Sequence, residues 1–244
     1  MPRPDPRTER RLSAFARDVE EALGGQLVCL ALHGSAAGEE WVGGRSDVNT
    51  AIVVPRATVA VLEALVPVVG RWRRQGFAPP VVLDDEYLAG AGDIFPMELD
   101  DIRRQHRVLA GRDVFATLTL DRAALRRECE QEARAKLFRL RALFLETAAS
   151  PRALERLMVD SLKSFLVVLR HLLGLRGDDA PFAYADVLAA GEALLGPLPT
   201  MRRLLEHRSG HGRLDRRVVR GEFAAYLAEI ERLVAAIDAL GPDA

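Results

Sequence analysis

The sequence predicts an α+β protein in which a mixed sheet flanked by helices is followed by an all-α helical bundle. Two nearly continuous apolar runs before residue 60 are typical of buried strands, and segments with helical spacing of apolar residues flank them. Beyond about residue 120 no strand pattern follows. Strands followed by a run of helices favour two domains, which we place at residues 1–118 and 119–244.

The composition indicates an ordinary globular protein. The 244 residues are 49% hydrophobic and 28% charged, with a formal net charge of -1. This charge gives no electrostatic reason to expect nucleic acid as a partner. No signal-like or bilayer-length apolar segment is found, so we expect a cytoplasmic protein without a membrane partner. The two cysteines, Cys29 and Cys129, suggest neither a disulfide framework nor a zinc cluster.

The N-terminal half begins with helical spacing of apolar residues that ends at Gly24-Gly25. An apolar run then ends at Gly34-Ser35, and a second such run is closed by Pro55. The predicted elements are a helix at Thr8–Leu23, strands at Gln26–His33 and Asp47–Val54, a helix at Ala57–Arg74, a strand at Pro80–Leu83 and a short turn or helix at Asp84–Leu88.

The segment Phe95–Asp100 alternates apolar with polar residues, which predicts a further strand. Glu98 and Asp100 would then point to the same face. Pro96 favours an edge position for this strand.

The C-terminal half shows helical spacing only, which predicts a bundle. Ser150-Pro151 is typical of a helix start, with a capping serine and a proline in the first turn. The predicted helices are Asp121–Thr147, Pro151–Leu175, Tyr184–Leu195, Thr200–Glu206 and Arg217–Leu240.

The candidate site lies where the first buried strand ends and the second begins. Gly34 before Ser35 allows backbone amides to approach a phosphate, and the hydroxyl adds a hydrogen bond. Asp47 and Asn49 would project to one face of the second strand, where they could share a hard cation. Together these residues could hold a metal-bound triphosphate, although Asp47 could instead cap a turn at the strand entry.

This pattern resembles the signature of the DNA polymerase β-like nucleotidyltransferases, of the aminoglycoside and minimal types. Gly34, Ser35 and Asp47 match the signature, while Asn49 stands where the family has a second acid. The resemblance implies transfer of a nucleoside monophosphate from an NTP, with Mg²⁺, to a hydroxyl of a small molecule or protein. It also implies a third acid on a later strand, for which we choose Glu98, with Asp100 as the alternative.

Asn49 weakens the expected metal site, because an amide oxygen carries no charge and Mg²⁺ dehydrates reluctantly. Asp47, Asn49 and Glu98 are therefore the candidate catalytic and metal residues of either a slow transferase or an inactive nucleotide-binding or protein-interaction module. In the helical half, Lys163 could contact phosphate, or it could belong to a charged seam with Arg156, Asp160 and Arg170.

Overall fold

The structure is a computed structural model that describes residues 6–38, 48–90, 93–177 and 180–241. The chain divides into two compact units, Met1–Asp121 and Arg122–Ala244. The first contains the sheet and the second is built from helices, which confirms the predicted α+β class. Within the described ranges, no helix combines the length and the apolar character that crossing a bilayer requires.

The first unit is organised around a four-stranded mixed sheet with the order β3-β2-β1-β4. β1 pairs antiparallel with both β2 and β4, while β2 pairs parallel with β3. The elements are α1 (Pro6–Leu23), β1 (Cys29–His33), β2 (Asn49–Val54), α2 (Val59–Arg73), β3 (Val81–Asp84), α3 (Asp85–Gly90), α4 (Pro96–Arg104) and β4 (His106–Gly111).

Both faces of the sheet are covered, because apolar residues occupy consecutive positions of β1 and β2. Leu30 and Ile52 point towards α1 and α2, in a cluster that includes Phe15 and Trp72. Ala31 and Ala51 point to the opposite face, with Leu99 and Ile102 of α4. The two predicted buried strands and the helices before and after them are confirmed, and every end lies within three residues of the predicted one.

The strand predicted at Phe95–Asp100 is wrong: Pro96–Arg104 is a helix. Proline suits the first turn, where its missing N–H leaves no hydrogen bond unmade. Asp100 Oδ1 lies 2.7 Å from Arg103 Nη2, and Asp100 Oδ2 lies 3.7 Å from Arg104 Nη1. A helix brings together side chains that are three and four residues apart in this way. Glu98 is consequently exposed and Asp100 buried, so these two carboxylates do not share a face as the strand pattern predicted.

β4 was not predicted. It follows α4 directly and pairs with β1 through a register shift between Leu30 and Ala31. Arg107 on this strand forms two hydrogen bonds to Glu9 of α1, at 2.7 and 3.1 Å. A charged residue can occupy the strand because α1 supplies its counter-ion.

The helices predicted for the second unit are confirmed. A buried carboxylate joins two of them: Glu229 accepts hydrogen bonds from the amides of Thr200 and Met201, each at 2.8 Å. The helices are α5 (Arg122–Thr147), α6 (Pro151–Arg176), α7 (Tyr184–Leu195), α8 (Pro199–Arg208) and α9 (Val219–Asp238).

Candidate functional site

Three polar residues stand side by side at one end of the sheet. The pairing places His33 of β1 opposite Asn49 of β2 on one side and opposite His106 of β4 on the other. They have the same parity along their strands as Ala31 and Ala51, which face α4. The row therefore lies at the sheet end where β1 stops and β2 starts, on the face that α4 covers.

The predicted turn at Gly34 immediately follows this row. Gly34–Ala37 form one turn of 3₁₀ helix, and Gly34 has a φ of 69°, in the left-handed region that favours glycine. A Cβ at this position would lie only 3.2 Å from Nδ2 of Asn49. The backbone conformation favours glycine, a Cβ would crowd the Asn49 amide, and the structure thus brings Gly34 and Asn49 close together.

The turn is also packed against the start of β4. A Cβ on Gly38 would collide with the side-chain amide of Gln105, the residue between α4 and β4. The segment after β1 is therefore held between Asn49 on one strand and Gln105 beyond α4. Ser35 belongs to the 3₁₀ turn, whereas Asp47 lies outside the described residues.

Glu98 lies elsewhere in the unit. Its exposed side chain lines a cavity beside β3, together with Phe95 and Tyr87. Asp100, the alternative acid, is buried and paired with Arg103 and Arg104. Neither residue occupies the strand position on which its choice as third acid was based.

Asp101 is the acid whose charge affects His33, the central residue of this row. Burial lowers the pKa of His33, while the negative charge of Asp101 and a hydrogen bond with the backbone of Thr50 raise it in part. Because burial has the largest effect, the His33 ring is neutral at neutral pH. Its Nε2 atom is buried and, among the described residues, has no hydrogen-bond partner. Sequence reasoning missed Asp101 because it treated this segment as a strand that ended one residue earlier.

His106, at the far end of the row, is fixed by hydrogen bonds. Its Nδ1 lies 2.9 Å from the carbonyl oxygen of Ile102, and its Nε2 lies 3.0 Å from Asp113. Asp113 also accepts hydrogen bonds from the amides of Phe115 and Ala116, and with His106 these bonds lower its pKa despite burial. His106 therefore has a structural role, because its two hydrogen bonds join α4 to the loop after β4.

The described residues do not form a three-acid metal site. Among them, no group of three His, Cys, Asp or Glu side chains could hold a metal ion. The strand end offers the neutral amide of Asn49, beside the glycine turn and on the face that α4 covers. An amide oxygen suits a hard cation but supplies no charge, and Asp47, the carboxylate predicted to act with it, lies outside the described residues.

Of the charged residues predicted to share a stripe in the helical unit, three are exposed and one is buried. Arg156 lies 3.3 Å from Asp160, and both side chains are well exposed. Lys163 is exposed on the same helix, whereas Arg170 is buried with its guanidinium 4.9 Å from the ring centre of Phe182. The sequence grouped these residues on one stripe, but the structure separates Arg170 from the exposed members.

No protein-family profile and no curated protein matches the sequence. Among solved structures, the fold is similar to that of the spectinomycin adenyltransferase AAD(9) from Enterococcus faecialis, which was determined with ATP and spectinomycin. The TM-score is 0.57 at 14% sequence identity, and the match covers 94% of this chain and 99% of that chain. At this identity the likeness establishes the fold alone: a mixed sheet flanked by helices and followed by further helices.

Proposed function

We propose that this protein is a nucleotidyltransferase-like enzyme that moves a nucleoside monophosphate from an NTP to a hydroxyl of a small molecule or protein. The observation that carries the proposal is the contact between the Gly34 turn and Asn49 at the shared end of β1 and β2. It occurs on a fold similar to that of a spectinomycin adenyltransferase determined with ATP and spectinomycin.

In the proposed reaction the acceptor hydroxyl attacks the α-phosphorus of the NTP. The new P–O bond forms as the bond to pyrophosphate breaks, and the hydroxyl proton passes to solvent. Gly34 and Ser35 would hold phosphate through backbone amides, as a glycine turn at a strand end allows. The neutral His33 ring, paired opposite Asn49, would add no positive charge to the site.

Mg²⁺ would neutralise charge on the triphosphate and on the leaving pyrophosphate. We assign its protein ligands to Asp47 and Asn49, with one acid from α4. Glu98 was the sequence-based choice for that acid, and the effect of Asp101 on His33 makes Asp101 its competitor. Because Asn49 contributes no charge, we expect nucleotide binding to persist while transfer is slow.

The first experiment is a calorimetric titration of the four NTPs, with and without Mg²⁺, on the wild type and Asp47→Ala. Binding that requires both Mg²⁺ and Asp47 supports the proposal. If no NTP binds at millimolar concentration, the proposed nucleotide site is wrong. Comparing Glu98→Gln with Asp101→Asn then identifies which acid contributes, since only the contributing one should weaken Mg²⁺-dependent binding.

Asn49→Asp tests the weakened metal site directly. Hydrolysis of NTP to NMP and pyrophosphate can be followed without knowing the acceptor, because water replaces it. Restoring a carboxylate should raise this rate by about tenfold or more, equivalent to about 1.4 kcal/mol of barrier. Asn49→Ser serves as the control, since it also removes the amide but adds no charge.

A non-catalytic nucleotide-binding or protein-interaction module is the second candidate. It is favoured by the neutral amide at position 49, which leaves the predicted site with one negative charge fewer than the family signature has. NTP binding without turnover, in both the wild type and Asn49→Asp, would support this candidate and exclude transfer.

Lys163 is our proposed phosphate contact from the helical unit. Lys136, the other lysine of the chain, is paired with Glu132 and provides the matched control. Lys163→Gln should weaken NTP binding while Lys136→Gln leaves it unchanged. Equal effects of the two substitutions would remove Lys163 from the site.

A further inference from the structure

One side of α5 carries large apolar side chains that are open to solvent. Phe138 is 61% exposed and Leu145 is 82% exposed. Ala135 and Ala142 are exposed on the same helix. These four residues, the α5 stripe, follow one another at intervals of three, four and three residues, which places them along one side of the helix. This is the spacing of the apolar seam through which two helices pair in a coiled coil.

Two opposite charges flank the α5 stripe along one edge. Arg139 follows Phe138 and Glu146 follows Leu145, so the two charged side chains lie on the same edge, two helical turns apart. Both are exposed, and among the described residues neither has an oppositely charged side chain within ion-pair distance. This edge therefore offers one positive and one negative charge to a partner molecule.

A second copy of this chain complements the α5 stripe when the two α5 helices run antiparallel. A two-fold axis perpendicular to the helices, at the level of Leu140, places Phe138 of each copy against Ala142 of the other. The same axis places Leu145 against Ala135, so each large side chain packs on a small one. A parallel pair would instead oppose Phe138 to Phe138 and leave gaps between the facing alanines.

The charges support the same antiparallel register. Edge positions on the same side of the seam face each other in an antiparallel pair, so Arg139 of each copy lies opposite Glu146 of the other. This gives two interhelical ion pairs per dimer. Arg141, on the other edge, approaches its own equivalent, but its charge is compensated by Glu231 of α9, whose Oε1 lies 2.7 Å from Arg141 Nη2. The register that packs large side chains on small ones is thus the one that pairs opposite charges.

We infer that the α5 stripe is a self-association surface through which two copies of this chain form an antiparallel, two-fold symmetric dimer. The stripe covers about 15 Å of helix, so the contact is smaller than a standard interface of about 1,200–2,000 Å². We therefore expect a reversible dimer with a dissociation constant on the order of 100 μM. This association requires neither NTP nor Mg²⁺, so it stands or falls separately from the proposed transfer.

Sedimentation velocity of the full chain, from about 10 μM to about 1 mM at low ionic strength, measures the association. The sedimentation coefficient of the wild type should rise over this range. Leu145→Glu places a charge within the contact and should weaken association at least tenfold. Val66→Glu is the matched control, because Val66 is 65% exposed but lies on α2, and this variant should associate as the wild type does. Far-ultraviolet circular dichroism checks that both variants are folded.

Charge reversal tests the register. Arg139→Glu and Glu146→Arg each turn two interhelical attractions into two repulsions, so each variant alone should associate about tenfold more weakly than the wild type. An equimolar mixture of the two variants brings opposite charges together again at both positions and should associate as strongly as the wild type. Salt at about 0.5 M should reduce these differences.

The inference is overturned if the chain stays monomeric at 1 mM. Equal association of Leu145→Glu and Val66→Glu would show that the copies meet through another surface, and would overturn it as well. A mixture of Arg139→Glu and Glu146→Arg that associates no more strongly than either variant alone would exclude the antiparallel pairing.

Discussion

Glu229→Gln removes the carboxylate that completes the N-terminus of α8. This helix starts with Pro199, and Leu198 before it provides no side-chain cap. Its first free amides, those of Thr200 and Met201, instead donate to the two carboxylate oxygens of Glu229, which is 3% exposed. A residue of α9 thus satisfies the hydrogen bonds that a serine or aspartate cap would otherwise accept.

The expected cost follows from what glutamine can and cannot accept. One amide keeps an oxygen partner, while the other faces the glutamine NH₂ and is left buried without an acceptor, at about 1–3 kcal/mol. The remaining bond loses its charge assistance, and the helix loses a negative charge at its positive end, about 0.3–1 kcal/mol more. We expect Glu229→Gln to lower the free energy of unfolding by about 3 kcal/mol.

Urea denaturation followed by far-ultraviolet circular dichroism measures the change. With an m-value of about 2 kcal/mol/M, the midpoint should fall by about 1.5 M. Glu231→Gln is the matched control, because Glu231 lies on the same helix in an exposed pair with Arg141, which should contribute less than about 1 kcal/mol. If both variants lose equal stability, the reasoning about the buried cap is refuted.

Three further predictions concern the backbone, a histidine and the thiols. Gly111→Ala should lower the free energy of unfolding by about 3 kcal/mol, because φ is 80° and a Cβ would collide with the carbonyl oxygen of Val28. Gly70→Ala is the contrasting variant: its Cβ would lie in open space on α2, so it should raise the free energy of unfolding by about 0.5–1 kcal/mol. Equal denaturation midpoints for the two variants would contradict this. Burial lowers the pKa of His33 from 6.5, so the unfolded chain binds the proton more readily and stability should fall as pH drops below 6.5 towards the folded pKa. Midpoints measured at pH 7, 6 and 5 should decline less in His33→Gln, and parallel declines would count against the assignment. Burial raises the pKa of Cys129 to about 12 and that of Cys29 above 9.0. Ellman's reagent at pH 8 should therefore label both thiols only in urea. Rapid labelling of the folded protein would show that the thiols are not sequestered.

The sequence was informative wherever a pattern extended over enough residues. The apolar runs of β1 and β2 are distinctive because both faces of these strands are buried, and α6 repeats its apolar positions over 26 residues. The alternation at Phe95–Asp100 was too short to distinguish a strand from the first turns of a helix. The i,i+3 and i,i+4 pairs of Asp100 with Arg103 and Arg104 were the local signal that favoured the helix.

The missing parts depend on partners that are distant in the sequence. β4 carries Arg107, which looks unsuited to a strand until Glu9, 98 residues earlier, is placed beside it. Gly34 and Asn49 could be associated from the motif, since they flank a connection between paired strands. Asp101 could not, because its effect on His33 requires α4 to pack on that face of the sheet.

The central position of β1 has a consequence for synthesis on the ribosome. Its partner β2 emerges shortly after it, but β4 begins at His106, about 70 residues after His33. At about 5–20 residues per second, translation leaves one side of β1 without its partner for roughly 4–14 s. During this interval the nascent chain exposes the unpaired edge of the apolar strand Cys29–His33. Translation speed between β2 and β4 therefore sets how long this edge is open to pairing with other chains or to chaperone capture.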